Sequence, residues 1–139
     1  MKKRSKILGA ATAGLLAILA LATPASASTY TVSPSDYHAG DLCVTPFCAG
    51  SASFVKDGDH LLVWDNDYDG HSVVVKYIRS DDGGAVHKDW NHYGSLTKLD
   101  INMNLPESGW VEYEVCLGEY GTESVDLASC SEWKLEYAS

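Results

Sequence analysis

Basic residues are scarce in this sequence of 139 residues, which has ten lysines and arginines against nineteen aspartates and glutamates. Four of the bases lie within the first six residues, so the chain after residue 27 combines six bases with nineteen acids, a net charge of about −13. Such a surface repels phosphate groups and anionic lipid heads, which argues against nucleic acid and membranes as partners. The charge either keeps the protein soluble or fits a basic partner.

Long apolar runs are lacking except near the start, where an uncharged stretch from Ile7 to Ala22 follows the basic residues. Pro24 and the small-residue site at residues 25–27 come next, an order typical of a secretory signal cleaved after Ala27. No later run is long enough to span a membrane. We therefore predict a secreted, extracellular protein with a signal peptide at residues 1–27, an N-terminal arm at residues 28–42 and one domain at residues 43–139.

The sequence has only four cysteines, all after the predicted signal. An even number in a small secreted domain indicates two disulfides, and three pairings are possible. We favour the two local pairings, because one pair flanks a tight Thr45-Pro46 turn and the other flanks a single loop between strand-like runs. The spacing resembles no zinc site. The favoured pairs are Cys43 with Cys48 and Cys116 with Cys130.

Helical spacing is lacking too, whereas short runs of alternating apolar and polar residues recur along the chain. A period of two, in runs rich in valine, tyrosine, tryptophan and isoleucine, predicts half-buried strands. Two weaker runs, Tyr30 to Val32 and Ser51 to Val55, bring the predicted number to about seven. The clearer runs are Leu61 to Asp65, Ser72 to Arg79, Ser95 to Met103, Gly109 to Leu117 and Glu132 to Tyr137.

Turn residues separate these runs at regular intervals, which predicts an all-β, Ig-like antiparallel β-sandwich braced by disulfides. The segment from Pro106 to Gly109 is the expected corner at which the chain crosses between sheets. One apolar face of each run is expected to lie in the core. In the last two runs the expected core-facing side chains are Val111, Tyr113, Val115 and Leu117, then Trp133, Leu135 and Tyr137.

The most conspicuous local motif is the acidic segment from Asp65 to Gly70, which matches the first half of a helix-flanked calcium loop. Its twelfth position is Lys76 where that loop needs glutamate, and both flanks are predicted strands. We therefore interpret the motif as a hairpin turn with Gly70 at positive φ. The alternative is a weak calcium site that uses Asp65, Asp67 and Asp69.

Catalytic motifs are not found in the sequence: G-x-S-x-G and H-E-x-x-H are both missing, and the cysteines are expected to pair. Paired carboxylates for glycoside hydrolysis stay a minor alternative in so acidic a chain. We predict that the protein is not an enzyme and needs no cofactor. The histidines are scattered, and each is expected to lie at the surface or at an edge: His38, His60, His71, His87 and His92.

Aromatic residues outside the alternation are the candidate contact residues. Trp90 and Tyr93 lie together in residues 88–94, which we interpret as a loop; Trp90 either folds back as a lid on the sandwich or contacts a partner. Tyr30 and Tyr37 lie in the predicted arm, which either lines its own sheet or pairs with another protein by strand addition. A carbohydrate platform would use Trp64, Trp90 and Trp110.

Several segments resemble small exported β-sandwich proteins of Streptomyces and related actinobacteria. The resemblance spans residues 43–137 and rests on the export signal, Asp57-Gly58-Asp59, Asp69-Gly70-His71, and Val115-Cys116 with Cys130-Ser131. This chain has Trp64 where such proteins commonly have a cysteine. They include the adaptor subunit of umbrella toxin particles, which joins a lectin subunit to a toxin stalk. The resemblance implies a non-catalytic connector used against competing bacteria, with the arm as its lectin-facing contact.

The function predicted from the sequence is therefore binding to other secreted proteins, most concretely as an adaptor in an extracellular antibacterial toxin particle. One alternative is a small inhibitor of an extracellular hydrolase, which would present the constrained loop between Cys43 and Cys48. The other is a carbohydrate-binding module.

Overall fold

The computed structural model describes residues 27–31, 42–44 and 48–139. Its described residues form ten strands and no α-helix. The strands are β1 (Ala27–Thr31), β2 (Leu42–Cys43), β3 (Gly50–Val55), β4 (His60–Asp65), β5 (Ser72–Arg79), β6 (Val86–Asn91), β7 (Thr97–Asn102), β8 (Trp110–Glu119), β9 (Ser124–Asp126) and β10 (Lys134–Tyr137).

Two antiparallel sheets pack face to face, which confirms the predicted disulfide-braced Ig-like β-sandwich. The first sheet has the strand order β1-β7-β4-β3-β2, and the second has the order β10-β8-β5-β6, with β9 paired to the end of β8. The chain crosses between the sheets after β4, β6 and β7. The last crossing uses the predicted corner from Pro106 to Gly109.

The core between the sheets is built from alternate residues of neighbouring strands. In β8 the expected face is buried: Val111, Tyr113 and Val115 have no exposed surface, and Leu117 packs against the same cluster. Aliphatic residues of the facing sheet complete it, among them Leu61 and Ile101. Removing this apolar surface from water is the main stabilising contribution.

Both disulfides are the local ones favoured from the sequence, Cys43–Cys48 and Cys116–Cys130. The first disulfide links β2 to the segment before β3. The second links β8 to the segment that leads into β10, closing a loop whose ends are 14 residues apart. By the chain-entropy account, a crosslink of that length contributes about 3 kcal/mol.

Strand β6 corrects the interpretation of residues 88–94 as a loop, because Val86–Asn91 pairs with β5 along its length. The sequence of β6 shows no apolar alternation, because the residues of β6 that face inward are polar. Asp89 accepts a hydrogen bond of 2.8 Å from the Tyr77 hydroxyl, and His87 stacks on the Tyr77 ring at 5.1 Å. Two further strands, β2 and β9, also have no counterpart in the predicted set.

Strand β10 corrects the expected orientation of the last strand. Leu135 pairs with Glu112 of β8, so Trp133, Leu135 and Tyr137 lie on the outer face of the second sheet and are 39%, 46% and 56% exposed. The alternate residues, Lys134 and Glu136, face the other way at the open edge of the sandwich. There Lys56 Nζ lies 3.7 Å from Glu136 Oε2.

The two outer edges of the second sheet therefore both carry inward-facing polar or charged residues: His87, Asp89 and Asn91 on β6, and Lys134 and Glu136 on β10. Inward-facing charge at an edge strand disfavours pairing with a foreign strand. Other proteins are accordingly expected to contact loops or faces rather than these two edges.

The described part of the predicted arm contributes backbone to the first sheet. Strand β1 pairs antiparallel with β7, and Tyr30 is in register with Lys98. Residues 32–41, which include Tyr37 and His38, lie outside the described residues. No helix in the described part of the chain has the length and apolar character needed to cross a membrane.

Candidate functional site

Three loops meet at one end of the sandwich, which we call the loop end. They are residues 66–71 between β4 and β5, residues 92–96 between β6 and β7, and residues 119–123 around the 3-10 turn after β8. Each pair of loops is joined by a side-chain contact. The Ser95 hydroxyl donates to the Asp67 carbonyl at 2.6 Å, and His71 Nδ1 lies 2.6 Å from Glu119 Oε1. The third contact is between the rings of His92 and Tyr120.

Three aromatic rings form a stack at the centre of the loop end. The His92 ring lies between Tyr120, with centroids 3.8 Å apart and planes at 4°, and Tyr93, at 4.2 Å and 28°. Tyr93 is 53% exposed and Tyr120 is 46% exposed, while Tyr68 on the adjoining loop is 77% exposed. The loop end therefore presents three exposed tyrosines, two of them held by a shared histidine.

Trp90 supports this stack from below. Its ring meets Tyr120 edge-on, with centroids 6.0 Å apart, and packs in a small cluster with Val74 and Cys116. Gly118 makes the close packing possible, because a Cβ there would lie 3.0 Å from two carbons of the Trp90 ring. Of the two roles considered for Trp90, its 9% exposure supports the lid on the sandwich rather than a direct contact.

Asn91 fixes the loop of residues 92–96 to both sheets. Its side-chain amide donates to the carbonyls of Val63 at 3.1 Å and Thr97 at 3.0 Å, and its oxygen accepts from the Thr97 hydroxyl at 3.0 Å. The residue is fully buried. A satisfied buried polar network of this kind specifies one arrangement of the elements that it joins. In the same loop Leu96 has φ of 60°, a conformation strained for a side chain of this kind.

The loop end is acidic. Two of its three loops contain acids, Asp67 and Asp69 in the first and Glu119 and Glu123 in the third, and none of the residues in the three loops is lysine or arginine. The hydrogen bond that His71 donates to the Glu119 carboxylate, with the nearby negative charges, raises the pKa of His71 above its ordinary value. A lysine adjacent to the loop end is already occupied: Lys88 Nζ lies 3.7 Å from Glu123 and 5.4 Å from the centre of the Trp90 ring.

A buried carboxylate lies beneath the first of these loops. Asp65 is 2% exposed, and its Oδ1 atom has no hydrogen-bond partner. Burial raises the pKa of Asp65 to about 6; a hydrogen bond from the Asp67 N–H opposes this shift, and the charges of Asp69 and Asp67 add to it. An ionised Asp65 is therefore unfavourable in the folded protein.

The same loop contains the calcium alternative and the expected hairpin turn. A hairpin joins two paired strands, whereas β4 belongs to the first sheet and β5 to the second, so the loop is a crossing between the sheets and the hairpin interpretation was wrong. Among the described residues, three acidic, histidine or cysteine ligand atoms lie within 4.8 Å of one another only at Glu114, Cys116 and Cys130, and those cysteines are bonded to each other. The carboxylates of Asp67 and Asp69 accept from the N–H groups of Tyr68 and His71. Gly70 has φ of 82°, as the turn requires.

A second exposed surface lies on the outer face of the second sheet. Trp133, Leu135 and Tyr137 form it, and we call it the outer strip. Lys76, which is bound to Glu114, lies 5.8 Å from the centre of the Trp133 ring and borders the strip on one side. Tyr137 pairs with Trp110 at the start of β8, whereas the loop end lies at the other end of that strand.

The three tryptophans of the predicted carbohydrate platform do not come together. Trp64 belongs to the first sheet, while Trp90 and Trp110 lie at opposite ends of the second, so the three tryptophans share no platform. Residues 45–47, at the tip of the loop proposed for an inhibitor, lie outside the described residues. Three histidines instead pair with carboxylates at the surface: His60 with Asp100, His71 with Glu119 and His87 with Asp82.

Sequence reasoning identified Tyr93 but missed Tyr68 and Tyr120, because they lie in loops that only the fold brings together. The signal available was the composition of those loops, in which tyrosine is flanked by glycine, aspartate and asparagine, as in many binding loops. The chain matches no family model, no curated protein and no solved structure.

Proposed function

We propose that this chain is a secreted, non-catalytic protein-binding module. The observation that carries the proposal is the stack of His92 between two exposed tyrosines at the loop end. Tyrosine offers a large contact area and loses little side-chain entropy on binding, which is why it is enriched in protein-binding loops. The support from Trp90 keeps the stack in place before a partner arrives, which lowers the cost of binding.

The most concrete form of the proposal is an adaptor that joins two proteins. From Trp110 to Glu119, β8 extends by about 30 Å at 3.3 Å per residue, and this separates the outer strip from the loop end. Two exposed aromatic surfaces so far apart can each contact a different protein. The resemblance described above suggests a lectin subunit and a toxin stalk subunit as those proteins.

Secretion is part of the proposal. Two disulfides within one small domain are typical of proteins that fold in an oxidising compartment. The basic residues and apolar stretch that precede the described residues fit an export signal.

Capture of partner proteins by two surface variants tests the proposal that the chain is an adaptor. The loop-end variant carries Tyr68→Ser and Tyr93→Ser, and the outer-strip variant carries Leu135→Thr and Tyr137→Thr, which keep strand propensity. Val55→Ser is the matched control, because Val55 is an exposed apolar residue of the other sheet.

We expect tagged protein to recover two secreted proteins from culture supernatant of the producing organism. The loop-end variant should lose one, the outer-strip variant should lose the other, and the control should keep both. Recovery of the same proteins by all variants would contradict the proposal. Loss of both proteins from each variant would indicate a single contiguous site rather than an adaptor.

The exposed tyrosines also favour a second candidate, a carbohydrate-binding module, because sugars stack on exposed aromatic rings. Retention of the wild-type protein, but not of the loop-end variant, on chitin, cellulose or bacterial cell wall would support this function over the adaptor. The His92 ring stacks on Tyr93 and on Tyr120, so the exposed rings available for such stacking are those of Tyr68, Tyr93 and Tyr120.

A further inference from the structure

We propose that the loop end recognises an arginine or lysine side chain of its partner, so that the partner is a protein with a basic contact segment. This inference rests on the proposed function of the loop end as a protein-binding surface. The stack of exposed tyrosines defines the site, and the charge around the stack selects its occupant.

The ring stack offers what a cationic side chain needs for contact. Arginine and lysine are attracted to the faces of aromatic rings, and arginine also stacks its planar guanidinium on them. Tyr93 covers the outer end of the stack and is 53% exposed, so one face of its ring is directed away from His92.

Carboxylates belong to the same loops as the exposed tyrosines, or to a loop bonded to them. Asp67 and Asp69 lie on the loop that the Ser95 hydroxyl joins to the Tyr93 loop, and Glu119 directly precedes Tyr120. Glu119 is paired with His71, and Glu123 with Lys88. Among the described ion pairs, Asp67 and Asp69 have no cationic side chain beside them, and a basic residue of the partner would supply one. A partner with acidic contact residues would meet repulsion at the two loops that contain these acids.

The protein already uses the same arrangement internally. Lys88 lies over the Trp90 ring while it is paired with Glu123, and Lys76 lies over the Trp133 ring while it is paired with Glu114. In both cases a cation is held between an aromatic face and a carboxylate. The loop end has the same two components, aromatic rings and carboxylates, and its rings are exposed tyrosines.

The net negative charge of the whole molecule, and not only that of the loop end, favours a basic partner. At least five of the six bases after residue 27 are paired with carboxylates of the same chain, so the excess of acids is left for solvent or for a partner. Long-range attraction would therefore speed the approach of a basic protein, and the effect would fall with added salt.

The test uses a peptide probe and charge-neutral variants of the full mature chain. The probe is an acetylated, amidated Gly-Arg-Gly-Arg-Gly peptide, and the matched probe has glutamine in place of both arginines. The loop-end charge variant carries Asp67→Asn, Asp69→Asn and Glu123→Gln. Its control removes the same number of exposed acids elsewhere, with Asp57→Asn, Glu107→Gln and Glu132→Gln.

Binding is followed by NMR shifts of the Tyr68, Tyr93, Tyr120 and His92 rings. We expect the arginine peptide to shift these resonances and the glutamine peptide not to, with binding about tenfold weaker in the loop-end charge variant than in its control. Equal weakening in both charge variants, or equal binding of both peptides, would overturn the inference.

Partner capture separates this inference from the proposed function. If the Tyr68→Ser and Tyr93→Ser variant loses its partner while the loop-end charge variant keeps it at all salt concentrations, the binding module stands and the basic partner is refuted. If both variants keep every partner, both proposals fail. We expect both variants to lose the same protein, and that protein to carry a basic contact surface.

Discussion

At neutral pH the buried Asp65 carboxylate is expected to destabilise the fold, and the substitution Asp65→Asn is therefore expected to stabilise it. Asparagine keeps an oxygen that accepts the hydrogen bond from the Asp67 N–H and removes the negative charge. The Oδ1 atom of Asp65 has no donor to compensate its burial, and two further acids, Asp67 and Asp69, follow in the same loop.

The magnitude follows from the pKa of Asp65, which is about 6 in the folded protein and 3.8 as the ordinary value. A difference of about two units corresponds to about 3 kcal/mol, at 1.36 kcal/mol per unit. Between these two values the folded state binds more protons than the unfolded state, so the free energy of unfolding falls as pH rises. The penalty is fully present above about pH 6 and is absent below about pH 4.

Urea denaturation at several pH values from 4 to 8, followed by tryptophan fluorescence, measures this effect. We expect the stability of Asp65→Asn relative to wild type to increase by up to about 3 kcal/mol between pH 4 and pH 7. Asp67→Asn is the control, because it removes the same charge from an exposed position of the loop. A stability difference between wild type and Asp65→Asn that does not change with pH would refute the reasoning.

Three further changes test the contacts that hold the loop end and the second sheet in place. Gly118→Ala places a methyl group too close to the Ser124 carbonyl oxygen and 3.0 Å from two carbons of the Trp90 ring, so it is expected to lower stability by about 1–3 kcal/mol and to change tryptophan fluorescence, whereas Gly121→Ala, which meets no atom within 4 Å, should change neither. Asn91→Ala removes the bonds between the sheets and should cost about 3 kcal/mol in urea denaturation; a cost below about 1 kcal/mol would show that the network contributes little. Replacing Cys116 and Cys130 together by serine should lower the free energy of unfolding by about 2–5 kcal/mol, and peptide mapping should still find the other bridge intact.

Strand alternation predicted the fold well wherever one face of the strand is apolar. In β8 the alternation is clear, and Val111, Tyr113 and Val115 are buried as expected. The alternation failed to predict β6, whose inward face consists of His87, Asp89 and Asn91. The hydrogen-bond partners of these residues lie on the loop between β5 and β6, on β5 and on the other sheet. A single sequence does not show that such partners exist.

The last strand shows a different limit of the sequence. The alternation in β10 is real, yet its apolar face points to solvent, because pairing with β8 at an open edge places Lys134 and Glu136 inward. Register decides which face is buried, and one step of register reverses the assignment. The outer strip of Trp133, Leu135 and Tyr137 therefore became visible only in the structure.

The candidate site was predicted in part. Tyr93 was named as a contact residue, while its partner in the stack, Tyr120, follows it by 27 positions in the sequence and meets it through His92. Trp90 was named as well, and its support of the stack from below depends on Gly118, which the sequence offers no reason to connect with it. The disulfides were predicted correctly because both pairs are local.

Native mass spectrometry of the complex captured from culture supernatant tests the central claim most directly, because it reports which proteins are bound and in what ratio. The account predicts that the chain is recovered with two different secreted proteins in fixed ratio, and that Tyr68→Ser with Tyr93→Ser removes one of them. Recovery of the chain alone, or of an unchanged complex with that variant, would contradict it.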